Sequence, residues 1–267
     1  MIQFKTLKNY ISLSWYLVKT NLLSAMEYRH SFIIQVLGMA FNDVALISMW
    51  LIFFSRIGSL NGWQFSDTIL LFVMGTINFG ISMTAGQGAF DIAKNIASGN
   101  LDNFLVTPKN PLWFVSFSRI DVSAVGDLLF GLGLYWFYPL ANFGGFMWVV
   151  LLGIITAPIA WAFIVITQSI SFWVGNFEDA AEQWFWNFIG FTLYPASVFH
   201  GFLKVIFMTI MPAFFIVALP VELIKHFSWG AFLLLIAFDV FICWLATYVF
   251  NKGLKRYESG NLINVKL

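Results

Sequence analysis

Four aspartates stand inside long apolar stretches of the chain, and any chemistry within those stretches must involve them. Asp43, Asp127 and Asp239 fall near the middles of their runs, and Asp121 lies one to two turns before Asp127. An ionised aspartate at the centre of a bilayer costs about 2.5–3.5 kcal/mol even on the lenient insertion scale. Arg119 is the one cation within the runs and can pair with one acid at most. One reading is a hydrated polar path or proton relay, lined further by Asn42, Asn78, Gln87 and Gln168. The other is that each acid is neutral or hydrogen-bonded to a neighbouring helix and holds a bundle together. Some would instead sit at an interface if the helix boundaries lie elsewhere.

Other chemistry is scarce. His200 and His226 have no second ligand at metal-binding spacing, so no metal is expected. Neither a Ser/His/Asp set nor an H-E-x-x-H pattern occurs, which argues against a protease. The phosphate-cradling pattern G-x-x-x-x-G-K-[ST] does not occur either, so the chain is expected to be no enzyme and to hold no cofactor of its own. Cys243 is the single cysteine, which excludes an internal disulfide.

Composition decides what must position these residues. Of 267 residues 60% are apolar and 10% charged, against about 45–50% and 25% in a soluble domain. Mean hydropathy is +0.82. So few charges cannot cover a water-facing surface, which excludes a soluble globule, a disordered chain and a coiled coil. A net charge of +1 without a basic run excludes nucleic acid as a partner. The chain reads as an all-α integral membrane protein in contact with lipid, one domain over 1–267.

A crossing needs roughly 20 apolar residues. The runs Ser31–Ser55, Asp67–Gly86, Leu112–Tyr138, Phe146–Val174, Trp184–Leu203 and Trp229–Phe250 predict six transmembrane helices. Val205–Leu219 is short and broken by Pro212, so it reads as an outer re-entrant segment between helices five and six. With both termini cytoplasmic, Lys5, Lys8, Lys19, Arg29, Lys94, Lys109, Lys252, Lys255, Arg256 and Lys266 are inside. Only Arg56, Lys204 and Lys225 are outside, and Arg119 sits near the inner end of the third helix. A seventh crossing would erase this bias, so the positive-inside rule favours six. Tryptophans at the run ends form an aromatic belt.

No cleavable leader is expected at the N-terminus. Residues 1–30 instead place Phe4, Leu7, Ile11, Val18 and Leu22 on one helical face and Lys5, Lys8, Ser12 and Lys19 on the other, an interfacial amphipathic helix. The membrane domain is 31–250, with a cytoplasmic loop over 87–111 and a tail over 251–267. In the loop, Phe90, Ala93, Ile96 and Ala97 make a helical stripe, Gly99 suits a helix stop, Asn100 an N-cap of a short turn over Leu101–Val106, and Pro111 the first turn of the third crossing. The loop could present an apolar and acidic surface to a partner, or be a plain reversal. Asn176–Glu182 reads as a solvated acidic loop. Tyr194-Pro195 bends the fifth crossing, and with Pro212, Pro220 and Glu222 shapes an outer rim.

The stretch Gly99-Asn-Leu101-Asp102-Asn-Phe-Leu-Val-Thr-Pro108-Lys-Asn-Pro111-Leu112 resembles the G-x-[IL]-D-x-x-L-x-x-P-x-x-P-L signature of type-2 ATP-binding-cassette (ABC-2) exporter permeases of the daunorubicin-resistance-like branch. Tyr194-Pro195, Met211-Pro212, Leu219-Pro220-Val-Glu222 and Gly253–Gly260 resemble that family's fifth helix, re-entrant region and tail. The resemblance implies a transmembrane permease subunit of an exporter in a bacterial cell membrane. It would pair with an identical or sibling permease and be energised by two copies of a separate ATPase that carries the ATP and magnesium. Gly99, Leu101, Asp102 and Pro108 would belong to the region coupling to that ATPase. The cargo would be a drug, peptide, lipid or similar amphiphile. The alternative is a proton-coupled secondary transporter working through the intramembrane carboxylates. That class often carries inverted repeats with broken helices in both halves, whereas the proline breaks here fall in one half.

Overall fold

The computed structural model describes residues 2–60, 62–175, 177–194, 201 and 212–258, with the side chains of 2–8 excepted. Among these residues the chain is all helix, with a single isolated bridge between Leu60 and Trp63. The helices are α1 (Ile2–Glu27), α2 (Arg29–Ile57), α3 (Phe65–Gly86), α4 (Ile92–Ala97), α5 (Asp102–Leu105), α6 (Pro111–Ser116) and α7 (Ala124–Leu134). They continue as α8 (Phe143–Ser169), α9 (Ser171–Val174), α10 (Glu178–Thr192), α11 (Leu219–Lys225) and α12 (Trp229–Leu254).

Four described helical stretches are long and apolar enough to cross a membrane: Arg29–Ile57, Phe65–Ala97, Phe143–Val174 and Trp229–Leu254. They coincide with the first, second, fourth and sixth predicted crossings. The third is divided. Residues 117–123 leave the helix between α6 and α7, where the Asp121 carboxylate accepts from both the backbone N (2.8 Å) and the hydroxyl (2.7 Å) of Ser123. Such a local side-chain bond competes with the helical ladder. Of the fifth, α10 is described, and it begins at Glu178, inside the stretch expected to be a loop. Glu178 and Asp179 in its first turn face the positive end of the helix dipole, so this acidic cluster starts a helix. Pro195, residues 202–211 and the tail from 259 lie outside the described residues.

Neighbouring helices follow the order α2, α7, α3, α8, α12, with α3 and α8 in the middle. Almost all of α3 is buried, whereas α2 and α12 expose rows such as Ile34, Leu37 and Phe41 or Leu233, Val240 and Trp244. A π-helical turn, Phe214–Ala218, leads into α11 and packs against α3 and α8. Pro220 has no N–H to offer the carbonyl one turn earlier, and the helix is wound wide there. Phe215 stacks on Phe238 of α12 with centroids 3.7 Å apart. Pro158 inside α8 likewise removes a donor. Neighbours supply donors around it: Ser82 Oγ to the Ala157 carbonyl (2.9 Å) and Cys243 Sγ to the Pro158 carbonyl (3.7 Å).

Candidate functional site

The loop from Gln87 to Asn110 is built from a 3₁₀ turn (Gln87–Asp91), α4, a stop at Gly99 and the single turn α5. Gly99 has φ +74°, in the left-handed region, as a helix stop requires. Its N–H reaches the Ile96 carbonyl (3.4 Å), and the Leu101 N–H reaches the Asn95 carbonyl (3.1 Å). Asn100 does not cap α5 through its side chain; only its carbonyl accepts, from the Asn103 N–H at 3.2 Å. The apolar stripe faces inward. Ala93 and Ile96 are buried and Phe90 meets Phe185 edge-on at 4.6 Å, so the stripe fastens the loop to its own bundle. Gln168 Oε1 accepts from the Ala93 N–H (3.3 Å), and Arg119 bonds Asp91 at 2.7 Å.

Beyond Gly99 the predicted coupling residues separate by burial. Leu101 is fully buried, Asp102 half-buried, and Pro108 exposed. The most exposed large apolar side chain of the loop is Val106, at 83%, beside the exposed Leu105. The Tyr257 phenol of the tail packs near Asp102; burial, then the Asp102 carboxylate, push it up to about 12, so it stays neutral at physiological pH. Tyr257 also meets Phe172 edge-on (6.3 Å), and Phe172 meets Phe250 (5.6 Å). α1 closes the other side: Trp113 Nε1 donates to Ser14 Oγ (2.7 Å), Asn21 Nδ2 to the Ser118 carbonyl (3.0 Å), and the Asn110 N–H to the Tyr10 hydroxyl (3.3 Å). The face of α1 turned to the protein therefore includes Tyr10, Ser14, Val18, Asn21 and Leu22, while Ile11, expected beside Val18, is exposed.

The four aspartates fall into three settings. Asp43 of α2 and Asp127 of α7 are both 3% exposed and lie within hydrogen-bonding reach of each other, and one oxygen of each has no partner. Gly126 allows this approach, since a Cβ there would collide with the Val36 carbonyl. Asp121 caps Ser123 and Arg119 pairs with Asp91, so no ion pair between Arg119 and a mid-helix acid forms. Asp239 stands apart on α12, accepting from Cys243 Sγ at 3.7 Å. Asn78 and Gln168, expected to line a path, are engaged instead in bonds between elements: Asn78 Nδ2 donates to Thr156 Oγ1 at 2.9 Å, and Gln168 binds the loop.

A family description, ABC-2 family transporter protein, matches residues 10–260. The chain belongs to that family. No curated protein and no solved structure matches it. It is a multi-pass membrane protein and the permease component of an ABC transporter, a family that works with an ATPase subunit and is not itself catalytic.

At the opposite end of this ABC-2 permease, Lys225 bonds Asp67 at 2.7 Å and lies over the Trp63 ring at 5.8 Å. Asp67 also accepts from the Gln64 N–H (2.9 Å), starting α3. Tyr194 packs edge-on against Trp50 (5.7 Å), Pro212 and Pro220 are buried, and Glu222 is exposed. Sequence reasoning missed Val106, Tyr257 and the Asp67–Lys225 pair. The pair had no local signal, because Lys225 lies 158 residues from Asp67. Tyr257 had no local signal, because its partner is far away in the chain.

Proposed function

We propose that this permease is the transmembrane half of an ATP-driven exporter, with the exposed Leu105–Val106 tip as the contact for a separate ATPase. What supports the reading is the contrast within one loop. Leu101 and the stripe on α4 are buried in the bundle, whereas Val106 projects an apolar side chain into solvent at 83% exposure. A displacement of the tip reaches α6, α8, α10 and the tail through packed contacts. In this reading Gly99 shapes the tip, Leu101 anchors it, Asp102 lies beside the tail tyrosine, and Pro108 stiffens the return.

Six crossings, both termini cytoplasmic, a re-entrant outer segment ending in α11, and a bacterial plasma membrane complete the proposal. Two permeases, identical or sibling, stand over two ATPases that hold ATP and magnesium. The cargo is an amphipathic drug, peptide or lipid.

The test is mild-detergent purification of the tagged chain from its native membrane, with partners identified by mass spectrometry. A stoichiometric soluble subunit carrying G-x-x-x-x-G-K-[ST] is expected with the wild type and lost with Val106→Asp, whose thermal stability should stay within about 0.5 kcal/mol. Asp102→Lys should weaken the same complex. Partner binding unchanged in both variants sinks the tip assignment. One observation favours a second reading, proton-coupled transport: the mutually facing carboxyls of Asp43 and Asp127. A chain that purifies alone and transports in vesicles without ATP would establish that reading instead.

A further inference from the structure

A cavity of about 570 Å³ opens in the loop-side half of the bundle, between α3, α6, α8 and α12, with α1 across one end. That volume is within the usual range for small-molecule sites, about 300–1,000 Å³. Its walls at apolar depth are Ile81, Ala85, Ile154, Ala157 and Trp161.

The hydroxyl protons on those walls are already engaged. Ser82 Oγ donates to the Ala157 carbonyl, Thr247 Oγ1 to the Cys243 carbonyl (2.9 Å), and the single proton of Cys243 Sγ is offered to either the Pro158 carbonyl or Asp239, each at 3.7 Å. The Trp161 indole N–H has no accessible surface. Water needs two to four polar partners to occupy a cavity, and these apolar walls offer only scattered hydroxyl acceptors whose protons are already engaged. Hydrocarbon needs only contact, and each wall atom without a neighbour forfeits dispersion energy.

The lining changes character at one end. There the Tyr10 hydroxyl, which accepts from the Asn110 N–H, retains its own proton to donate. The Asn110 side chain, whose oxygen already accepts from the Trp113 N–H, retains its N–H groups. Both residues belong to the elements that close the loop side of the bundle, where a lipid head would lie.

We propose that this cavity binds one hydrocarbon chain of a membrane lipid from the loop-side leaflet, with a hydrogen-bond-accepting head held by Tyr10 and Asn110. The site is independent of whether an ATPase docks on the tip. Because Asn110 caps α6 and Tyr10 sits on α1, a bound lipid would touch both supports of the loop.

The probe is a lysophospholipid with a diazirine in mid-chain, incorporated with the full-length permease into phosphatidylethanolamine–phosphatidylglycerol vesicles. Labelled positions are read by mass spectrometry after illumination. Label is expected on the α8 and α12 walls around Trp161 and Thr247, and also on exposed Phe41 of α2, which reports ordinary surrounding lipid. Ala85→Phe fills the cavity from α3 and Thr247→Phe from α12. Each should lose most of the wall label while the Phe41 label is unchanged, and that unchanged label also shows that the variant is folded in the bilayer. Equal wall labelling in the wild type and in both variants would overturn the site and leave only passing lipid. A wild type without wall label that forms a Cys243–Cys243 disulfide under mild oxidation would overturn it too, since a second copy would then close the cavity.

Discussion

Two helix seams at apolar depth solve the problem of buried polarity in opposite ways. Along the α3–α8 seam, Asn78 donates to Thr156 and Ser82 to the Ala157 carbonyl, each at 2.9 Å. Each is a neutral donor matched to an acceptor. Along the α2–α7 seam, Asp43 faces Asp127 and each keeps an oxygen without a partner. Two carboxyls can hydrogen-bond only if a proton lies between them, and like charges in contact cannot both ionise. The first seam is a fixed joint. The second sets two acids side by side with an oxygen of each left unmatched.

The largest effect expected is from Gly126→Leu, which drives a side chain into the Val36 carbonyl and separates α2 from α7. A loss of about 4 kcal/mol or more belongs to such overpacking against backbone, read as collapse of the monodisperse peak on size exclusion. Survival with normal stability would mean that the two helices are not held this close. Next come two substitutions of one residue. Asp127→Leu leaves Asp43 buried alone and should lower stability by about 1–3 kcal/mol. Asp127→Asn supplies a permanent N–H to Asp43 and should match or exceed the wild type. If both variants were equally damaged, the carboxyls would not be paired.

Asn78→Ala probes the fixed joint and should cost about 0.6–2 kcal/mol, the range for a hydrogen bond between membrane helices. Thermal unfolding in detergent measures it. The smallest effect is expected at the opposite end of the bundle, where Lys225→Met removes the partner of Asp67. A partly exposed pair contributes about 0–1 kcal/mol, and high salt should mask the difference.

Much of this architecture was legible. The continuous apolar runs located four helical stretches long and apolar enough to cross a membrane, because a run of that length has few other fates in so uncharged a chain. Gly99, the Asn110–Pro111 start of α6 and the family signature were equally readable, since each is local. What escaped depends on partners distant in sequence or on competition within a few residues. Composition could not show that Asp121 would turn on Ser123 and divide the third run. Periodicity gave the stripe from Phe90 through α4 but left open whether it faced a partner or the bundle, and the packing of Phe90 against Phe185 turns it to the bundle. The four aspartates stood out in the sequence as acids in apolar runs. Only three-dimensional packing separates a pair, a cap and an outlier.

The gap at residues 117–123 bears on how mechanical load divides within the molecule. On one side of it, α6 is tied to α1 by Trp113 and Ser14 and to α5 by the edge-on rings of Phe104 and Phe114 (5.6 Å). On the other, α7 is seated against α2 and α3. The ladder of helical hydrogen bonds does not run across the gap, so torque arriving at α6 is not carried stiffly along a single rod. The gap is itself held on both sides, since Asn21 Nδ2 of α1 donates to the Ser118 carbonyl (3.0 Å) and the Asp121 N–H to the Met83 carbonyl of α3 (3.1 Å), so force at α6 is divided between α1 and α3 rather than passed straight on to α7.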